Sequence, residues 1–267
     1  MPETLTAQTR RILLITLSNI GDAVLTTPVL EALHNKYPQA VMDIVTDARA
    51  SELFHHCPSR GNVFLKHKHL GWRGTLALVK QLRGRRYDLI VDLRTDGLTL
   101  LLRARRCLTR RGGKPAGRHA VARHFGVIRE REQLETIPPV HVWLTSVEHA
   151  YARQQLSGLP GQQWLALGPG ARWEGKCWPA DRFTALENEL QTHFDAVILL
   201  GSMADRNSCA LIEAGLSLPC VNLAGKTGLL EVTAVLQQAR LFVGNDSGLG
   251  HLAAAAGTPT VTVFGPG

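Results

Sequence analysis

The sequence predicts an α/β protein made of two doubly wound, Rossmann-like domains in series. Short runs of branched apolar residues alternate with longer segments of helical periodicity, a pattern typical of parallel sheets covered by helices on both faces. This alternation stops at a Gly/Pro/Ser/Gln stretch, residues 157–163, and then starts again. The chain has 267 residues, 45% of them hydrophobic, which is enough for two cores. We therefore expect domains at 1–158 and 159–267.

The first domain is predicted to contain at least four strands, beginning with the apolar run "RILLITL". Its first long helix carries Leu25, Val29, Ala32 and Leu33 on one face. The predicted strands are 11–17, 40–46, 62–67 and 87–94. The predicted helices are 23–38, 50–56, 74–86, 96–106 and 145–156.

The second domain repeats the same order of strand and helix. Its predicted strands are 164–170, 196–202, 220–225, 240–246 and 259–265. Its predicted helices are 179–194, 205–215, 228–239 and 247–257. Ligands of such sheets bind beyond the carboxyl ends of the strands, so the loops at those ends are the candidate sites.

The composition indicates a protein of the reducing cytoplasm. No apolar run reaches the roughly 18 residues of a spanning helix, and the first residues lack the apolar stretch of a secretory signal. The five cysteines are scattered and never occur in C-x-x-C spacing. This usage argues against a disulfide framework or a zinc site.

Positive charge is concentrated in one segment. The net charge is +8, and no acidic residue occurs from Gly97 to Arg129. Such a segment attracts an anionic substrate or membrane surface, although a merely solvated basic face remains an alternative. A single Phe lies among its cations, which disfavours nucleic acid as a partner. The candidate anion-binding residues are Arg105, Arg106, Arg110 and Arg111.

The loop after the first strand, "LSNIGD", places Gly21 and Asp22 where the strand gives way to a helix. On the residues alone, Asp22 can cap the helix, a role that Asp often fills. The loop lacks the G-x-G-x-x-G spacing of dinucleotide-binding folds.

Two loops of the second domain carry charged candidates. Lys176 lies in the Gly- and Pro-rich stretch 167–179, where a lysine can neutralise a phosphate; an exposed, mobile lysine is the alternative. Asp205 follows the strand 196–202 and can accept hydrogen bonds from a ribose, or it can cap the next helix.

The segment 244–257, "GNDSGLGHLAAAAG", is the strongest signal in the chain. Asp246 and Ser247 can cap its helix, and Gly248 and Gly250 leave the first turn open. The backbone N–H groups and dipole of that turn then form a seat for a diphosphate. His251, one turn into the helix, lies at the same end as Ser247.

These loops together suggest a nucleotide diphosphate held by backbone groups and lysine. The sequence shows no metal-ligand spacing and no D-x-D pair, so we expect neither Mg²⁺ nor another cofactor.

Four stretches carry a family resemblance: "SNIGDAVLTTPVLEAL", "GARWEGKCWP", "LAGKTGLLEVTAVL" and "FVGNDSGLGHLAAAAGTPTVTVFGP". Together they resemble the ADP-heptose:lipopolysaccharide heptosyltransferases, glycosyltransferase family 9. The resemblance extends from Arg11 to Gly267. It implies two domains of the GT-B type and an inverting transfer of heptose from ADP-heptose to the inner core of lipopolysaccharide.

The resemblance also implies roles for individual residues. Asp22 matches the base that deprotonates the acceptor hydroxyl. The residues that match donor-binding positions are Lys176, Asp205, Asp246, Ser247, Gly248, Leu249 and His251. The basic segment would face the lipopolysaccharide acceptor or the anionic inner membrane that carries it, and we expect a monomer.

The chain departs from the family pattern at two places. Family members generally continue past "FGP", so we expect the second domain to be incomplete. The loop after Gly168 reads Pro169-Gly170-Ala171, without the hydroxyl residues of some members. Two alternatives stay open: another sugar-nucleotide enzyme of this architecture, such as one with a different donor or a hydrolysing epimerase, and a non-catalytic remnant that binds nucleotides or polyanions.

Overall fold

The computed structural model describes residues 9–94, 97–111 and 117–265 and divides into two compact units. Lys114 of the basic segment lies outside the described residues, as do residues 1–8, 95–96 and 266–267. The units are 1–143 and 144–267. Each contains one five-stranded parallel sheet, as the alternating sequence predicts.

The first sheet has the strand order β3-β2-β1-β4-β5. Its strands are β1 (Arg11–Ile15), β2 (Val41–Thr46), β3 (Arg60–Leu65), β4 (Tyr87–Asp92) and β5 (Ala104–Thr109). Its α-helices are α1 (Ile20–Val24), α2 (Thr27–Lys36), α3 (Gly71–Arg83) and α4 (Ala120–Arg129). Short 3₁₀ helices occupy Ala48–Phe54, Lys68–Leu70 and Leu98–Leu101.

The second sheet has the order β10-β9-β6-β7-β8. Its strands are β6 (Trp164–Gly168), β7 (Ala196–Leu199), β8 (Cys220–Asn222), β9 (Leu241–Asn245) and β10 (Thr260–Val263). Its α-helices are α5 (Ser146–Leu156), α6 (Ala180–Leu190), α7 (Arg206–Glu213), α8 (Leu229–Leu236) and α9 (Gly248–Ala256). Short 3₁₀ helices occupy Glu174–Lys176 and Met203–Asp205.

The division between the units falls earlier than the sequence predicts. The predicted boundary followed residue 158, after α5, whereas the structure places it between Trp143 and Leu144. The reason is that α5 packs against α8, and the Tyr151 hydroxyl donates to the carbonyl of Lys226 at 3.0 Å. The Gly- and Pro-containing stretch 157–163 is therefore a loop inside the second unit.

The prediction of a helix over 96–106 is wrong. Only Leu98–Leu101 is helical, as a single 3₁₀ turn, and the following residues form the edge strand β5. Leu89 pairs in register with Arg106. Charged side chains at alternate positions are common on edge strands, where they oppose further strand pairing, so the arginines here mark a strand and not a helix. The helix α4 in the same basic segment was not predicted.

A buried ion cluster fixes the edge of the first sheet. The Glu132 carboxylate, 1% exposed, accepts a hydrogen bond from Arg106 Nη1 at 3.0 Å and lies 3.0 Å from Lys36 Nζ. Arg106 Nη2 also donates to the Tyr37 hydroxyl at 3.0 Å, and that hydroxyl donates to Glu132. Arg106 thus ties β5 to the end of α2 and to the turn after α4.

We expect Arg106→Ala to lower the free energy of unfolding by about 1.5–3 kcal/mol, because it removes charged hydrogen bonds from a buried carboxylate. Arg105→Ala is the matched control, since Arg105 is exposed and its carboxylate partner Asp88 lies 3.7 Å away. That change should cost less than about 1 kcal/mol. Urea unfolding of both variants tests this, and equal losses would contradict the cluster's role.

Candidate functional site

In the second unit the candidate residues lie at the carboxyl ends of β6, β7 and β9. Three loops leave the sheet there: 169–179 after β6, 200–205 after β7 and the turn from β9 into α9. The parallel order puts these strand ends at one edge, because every strand points the same way. The edge is therefore where a ligand of this unit would bind.

Asn245 holds the β6 loop against the start of α9. Its side chain is completely buried; Nδ2 donates to the carbonyl of Pro169 at 2.6 Å, and Oδ1 accepts from the N–H of Trp178 at 3.0 Å. Both ends of the loop that carries Lys176 are thereby fixed. The sequence reasoning missed this residue, although a buried amide at the end of an apolar strand is the signal that could have shown it.

Lys176 and Asp246 meet at the N-terminus of α9. Lys176 Nζ lies 2.6 Å from Asp246 Oδ2, and both side chains are about one-third exposed. The backbone N–H of Asp246 donates to the carbonyl of Val263, so the strand β10 fixes this position. Lys176 is thus not simply a mobile surface lysine. Its charge is held next to the positive end of a helix dipole.

The first turn of α9 keeps its capacity to donate hydrogen bonds. Ser247 is the N-cap residue, as predicted, but its side chain makes no capping hydrogen bond. The first backbone N–H groups of a helix have no partner within the helix. Ser247 Oγ is buried and has no hydrogen-bond partner among the residues that the structure describes. An unpaired hydroxyl beside open N–H groups fits a ligand with several acceptor oxygens.

The other predicted donor residues differ in what they contact. Leu249 lies over the end of β6, where a side-chain carbon at Gly168 would come within 3.4 Å of it. His251 is half-buried one turn into α9, and Gly248 begins that helix. Asp205 Oδ2 accepts from the Ser202 backbone and hydroxyl, each at 2.7 Å, in a capping box. As the N-cap residue of α7, Asp205 makes no side-chain capping hydrogen bond, so its carboxylate supports the preceding 3₁₀ turn and does not cap the next helix.

The Asp205 carboxylate also lies close to the loop that follows β6. A side-chain carbon at Gly170 would lie 2.5 Å from either carboxylate oxygen of Asp205. Gly170 therefore allows the loop to approach the carboxylate, and any larger residue would displace one of them. This contact places Asp205 at the same edge as Lys176.

In the first unit, Asp22 lies in the loop and helix that follow β1. It is the third residue of α1, whose N-cap is Asn19, and its Oδ2 accepts from Asn19 Nδ2 at 2.9 Å. Asp22 is therefore not the helix cap that was considered as the alternative. Its half-buried carboxylate lies at the carboxyl end of the sheet.

The charges of Asp22 and Arg110 both act on His124 of α4. The imidazole is buried, and burial lowers its pKa; the positive charge of Arg110 lowers the pKa further, whereas Asp22 raises it. Its Nδ1 is buried without a hydrogen-bond partner among the described residues. His124 was not singled out from the sequence, because its neighbours are distant along the chain.

The four candidate arginines do not form one surface. Arg106 belongs to the buried cluster around Glu132, and Arg105 pairs with Asp88 at the start of β4, the amino end of the sheet. Arg110 and Arg111 are exposed after the carboxyl end of β5. The structure thus brings Arg110 and Asp22 into one electrostatic neighbourhood and places Arg105 and Arg106 elsewhere.

Three further properties of the described part of the chain concern its thiols, its possible metal ligands and the length of its helices. Burial raises the pKa of Cys57, Cys209 and Cys220 to about 12, so these thiols stay protonated at neutral pH. Within residues 9–94, 97–111 and 117–265, no group of three or more His, Cys, Asp or Glu side chains could hold a metal ion. The same ranges include no helix long and apolar enough to cross a membrane.

Comparison with known proteins decides the family. The sequence model of glycosyltransferase family 9 (heptosyltransferase) matches residues 102–267. The chain belongs to glycosyltransferase family 9. It is therefore a glycosyltransferase of the heptosyltransferase family, as the resemblance implied.

The relatives agree over most of the chain. Lipopolysaccharide heptosyltransferase 3 of Escherichia coli K12 is 30% identical over 92% of this chain and 79% of its own length. Lipopolysaccharide heptosyltransferase 2 of the same strain is 26% identical over 96% of this chain and 83% of its own length.

Solved structures confirm the fold class. The structure of E. coli ADP-heptose lps heptosyltransferase II has a TM-score of 0.78 and 26% identity, covering 96% of this chain and 85% of its own. A family 9 structure from Veillonella parvula has a TM-score of 0.83 at 22% identity, covering 97% of this chain and 82% of its own. The two parallel-sheet units are thus Rossmann-like domains of the GT-B type.

The state of His124 gives a test that does not depend on substrates. Because the folded protein disfavours the imidazolium, the unfolded chain takes up the proton first as the pH falls below about 6.5. The free energy of unfolding should therefore decrease as the pH falls through that value, and the decrease should end below the folded pKa. Well above about pH 6.5, His124 is neutral in both the folded and the unfolded chain, so it leaves the free energy of unfolding unchanged.

We expect His124→Gln to reduce this pH dependence between roughly pH 7.5 and 5.5, measured by urea unfolding at several pH values. His193→Gln, which removes an exposed imidazole, is the matched control for the substitution. An unchanged slope in His124→Gln would mean that His124 titrates alike in the folded and unfolded chain.

Proposed function

We propose that the chain transfers heptose from ADP-heptose to the inner core of lipopolysaccharide, with inversion at the anomeric carbon. The observation that carries the proposal is the Lys176–Asp246 pair at the open N-terminus of α9, in a chain of this family. Relatives with 26% and 30% identity are named for ADP-heptose and lipopolysaccharide. Those names support the choice of donor and acceptor.

The second unit is the proposed donor site. Lys176, the N–H groups of the first turn of α9 and the Ser247 hydroxyl bind the diphosphate, and the same groups stabilise the charge that develops as ADP departs. Asp205 is proposed to lie near the ribose and His251 near the diphosphate and sugar. The diphosphate needs no metal ion in this scheme, because lysine and the helix dipole supply the positive charge.

The first unit is the proposed acceptor site. Asp22 accepts the proton of the acceptor hydroxyl as its oxygen attacks the anomeric carbon and the bond to ADP breaks. Asn19 orients the carboxylate through its hydrogen bond to Oδ2. Arg110 and Arg111 supply positive charge for the anionic acceptor. We propose that the enzyme acts as a monomer in the cytoplasm, in peripheral contact with the inner membrane.

We expect Asp22→Asn to lower kcat for heptosyl transfer by about 10²-fold or more, a usual contribution of a general base, with the KM for ADP-heptose unchanged. The assay measures acceptor-dependent ADP release and the mass of the product lipid. Asp181→Asn, at the exposed first turn of α6, is the matched control.

A purely structural role of Asp22 makes a different prediction. A first-turn carboxylate stabilises its helix by about 0.3–1 kcal/mol, so activity would then follow the folded fraction. If Asp22→Asn retains wild-type kcat per folded molecule, the assignment of the base is wrong.

We expect Lys176→Met to lower kcat/KM for the donor by about 10–100-fold, the equivalent of one charged hydrogen bond. ADP binding measured by calorimetry should weaken in parallel. Arg240→Met removes one exposed charge from the same unit and should change neither quantity. Unaltered ADP affinity in Lys176→Met would exclude Lys176 as a diphosphate ligand.

A further inference from the structure

A second acid-free segment of the chain carries an exposed apolar surface. Residues 53–87 contain no Asp or Glu, and this segment includes the whole of α3. We define the α3 surface by five exposed apolar residues and by the cations Arg73, Lys80 and Arg83. The apolar members are Leu70 (50% exposed), Trp72 (72%), Leu76 (58%), Leu100 (85%) and Leu101 (44%).

The apolar and cationic side chains share one face of α3. At 100° per residue, Trp72, Leu76, Lys80 and Arg83 fall within roughly 80° of arc. Arg73 lies beside this arc, and its guanidinium carbon is 5.7 Å from the centre of the Trp72 ring. The opposite face of the helix, including Leu78 and Leu82, packs into the core of the first unit.

The 3₁₀ turn Leu98–Leu101 extends the same surface. Arg83 Nε donates to the carbonyl of Leu101 at 2.8 Å, which fixes the turn beside the C-terminal end of α3. Leu100 is the most exposed apolar residue of this turn. Several large apolar side chains exposed together are uncommon on a monomeric protein and mark an interaction surface.

We propose that the α3 surface docks the enzyme on an anionic phospholipid membrane. Tryptophan and leucine enter the boundary between headgroups and acyl chains, and neighbouring lysine and arginine pair with the lipid phosphates. The absence of any acid between residues 53 and 87 gives the charge complementarity. Nucleic acid fits less well, because one exposed tryptophan is not a stacking platform and the leucines would face phosphates.

This proposal rests in part on the proposed function, because an acceptor with a lipid anchor lies at a membrane. It places the docking surface outside the basic segment 97–129, of which Arg106 is engaged in the Glu132 cluster. The start of α3 follows the carboxyl end of β3, which is the edge of the sheet where Asp22 lies. The Trp72 end of the α3 surface is therefore at the same end of the sheet as Asp22.

The test is co-sedimentation of the whole chain with phosphatidylcholine vesicles, with and without phosphatidylglycerol. Wild type should bind the anionic vesicles, more weakly as salt is raised, with a blue shift in tryptophan emission. Trp72→Ser/Leu76→Ser and Arg73→Glu/Lys80→Glu should each lower the partition coefficient by about tenfold or more, since one cation near the surface contributes roughly fivefold. Leu211→Ser and Arg182→Glu, equally exposed in the second unit, are the controls and should bind as wild type.

Transfer assays separate this proposal from the proposed function. The Trp72→Ser/Leu76→Ser variant should lose transfer to vesicle-embedded acceptor and retain transfer to a lipid-free inner-core oligosaccharide. Vesicle binding that depends on the α3 surface, without any transfer by wild type, would sustain docking and reject the function. Wild-type vesicle binding by both variants, or binding of single-stranded DNA in place of vesicles, would overturn the docking proposal.

Discussion

The proposed donor site in the second unit depends on one buried amide. Asn245 ends an apolar strand, and its side chain bonds both to Pro169 and to Trp178, which are the two ends of the loop that carries Lys176. The backbone hydrogen bonds between parallel strands end where the strands end, so they do not fix this long loop. The Asn245 side chain supplies the missing contacts. The position of Lys176 beside Asp246 follows from that clamp.

The two units use parallel sheets in the same way but support their edges differently. In the first unit, the buried carboxylate of Glu132 binds the side chains of Lys36, Arg106 and Tyr37 and thereby holds the edge strand β5 in place. In the second unit, a capping box at Ser202 and Asp205 and the close approach of Gly170 hold the loops. Both devices place a polar group where several elements converge, and both require each polar atom to find a partner.

The sequence predicted the fold, and it marked the loops at the carboxyl ends of β6, β7 and β9, because both depend on local patterns. Apolar runs bounded by glycine specify the buried strands, and a run such as Asn245-Asp246-Ser247 before a small-residue helix indicates an open helix start. The failures concern relations that the sequence does not show. Nothing in "RARRCLT" reveals that Arg106 pairs with Glu132, or that His124 shares its surroundings with Asp22 and Arg110, because those partners come from other elements.

The Lys176–Asp246 pair has a consequence for selectivity. A small inorganic anion that approaches Lys176 must compete with a carboxylate already 2.6 Å from the ammonium group, and it brings too few contacts to displace it. A ligand with two linked phosphates reaches the lysine and the helix N–H groups at once, so its second contact is made at high effective concentration. In the proposed donor site, the acid beside the lysine therefore favours two linked phosphates over a single small anion.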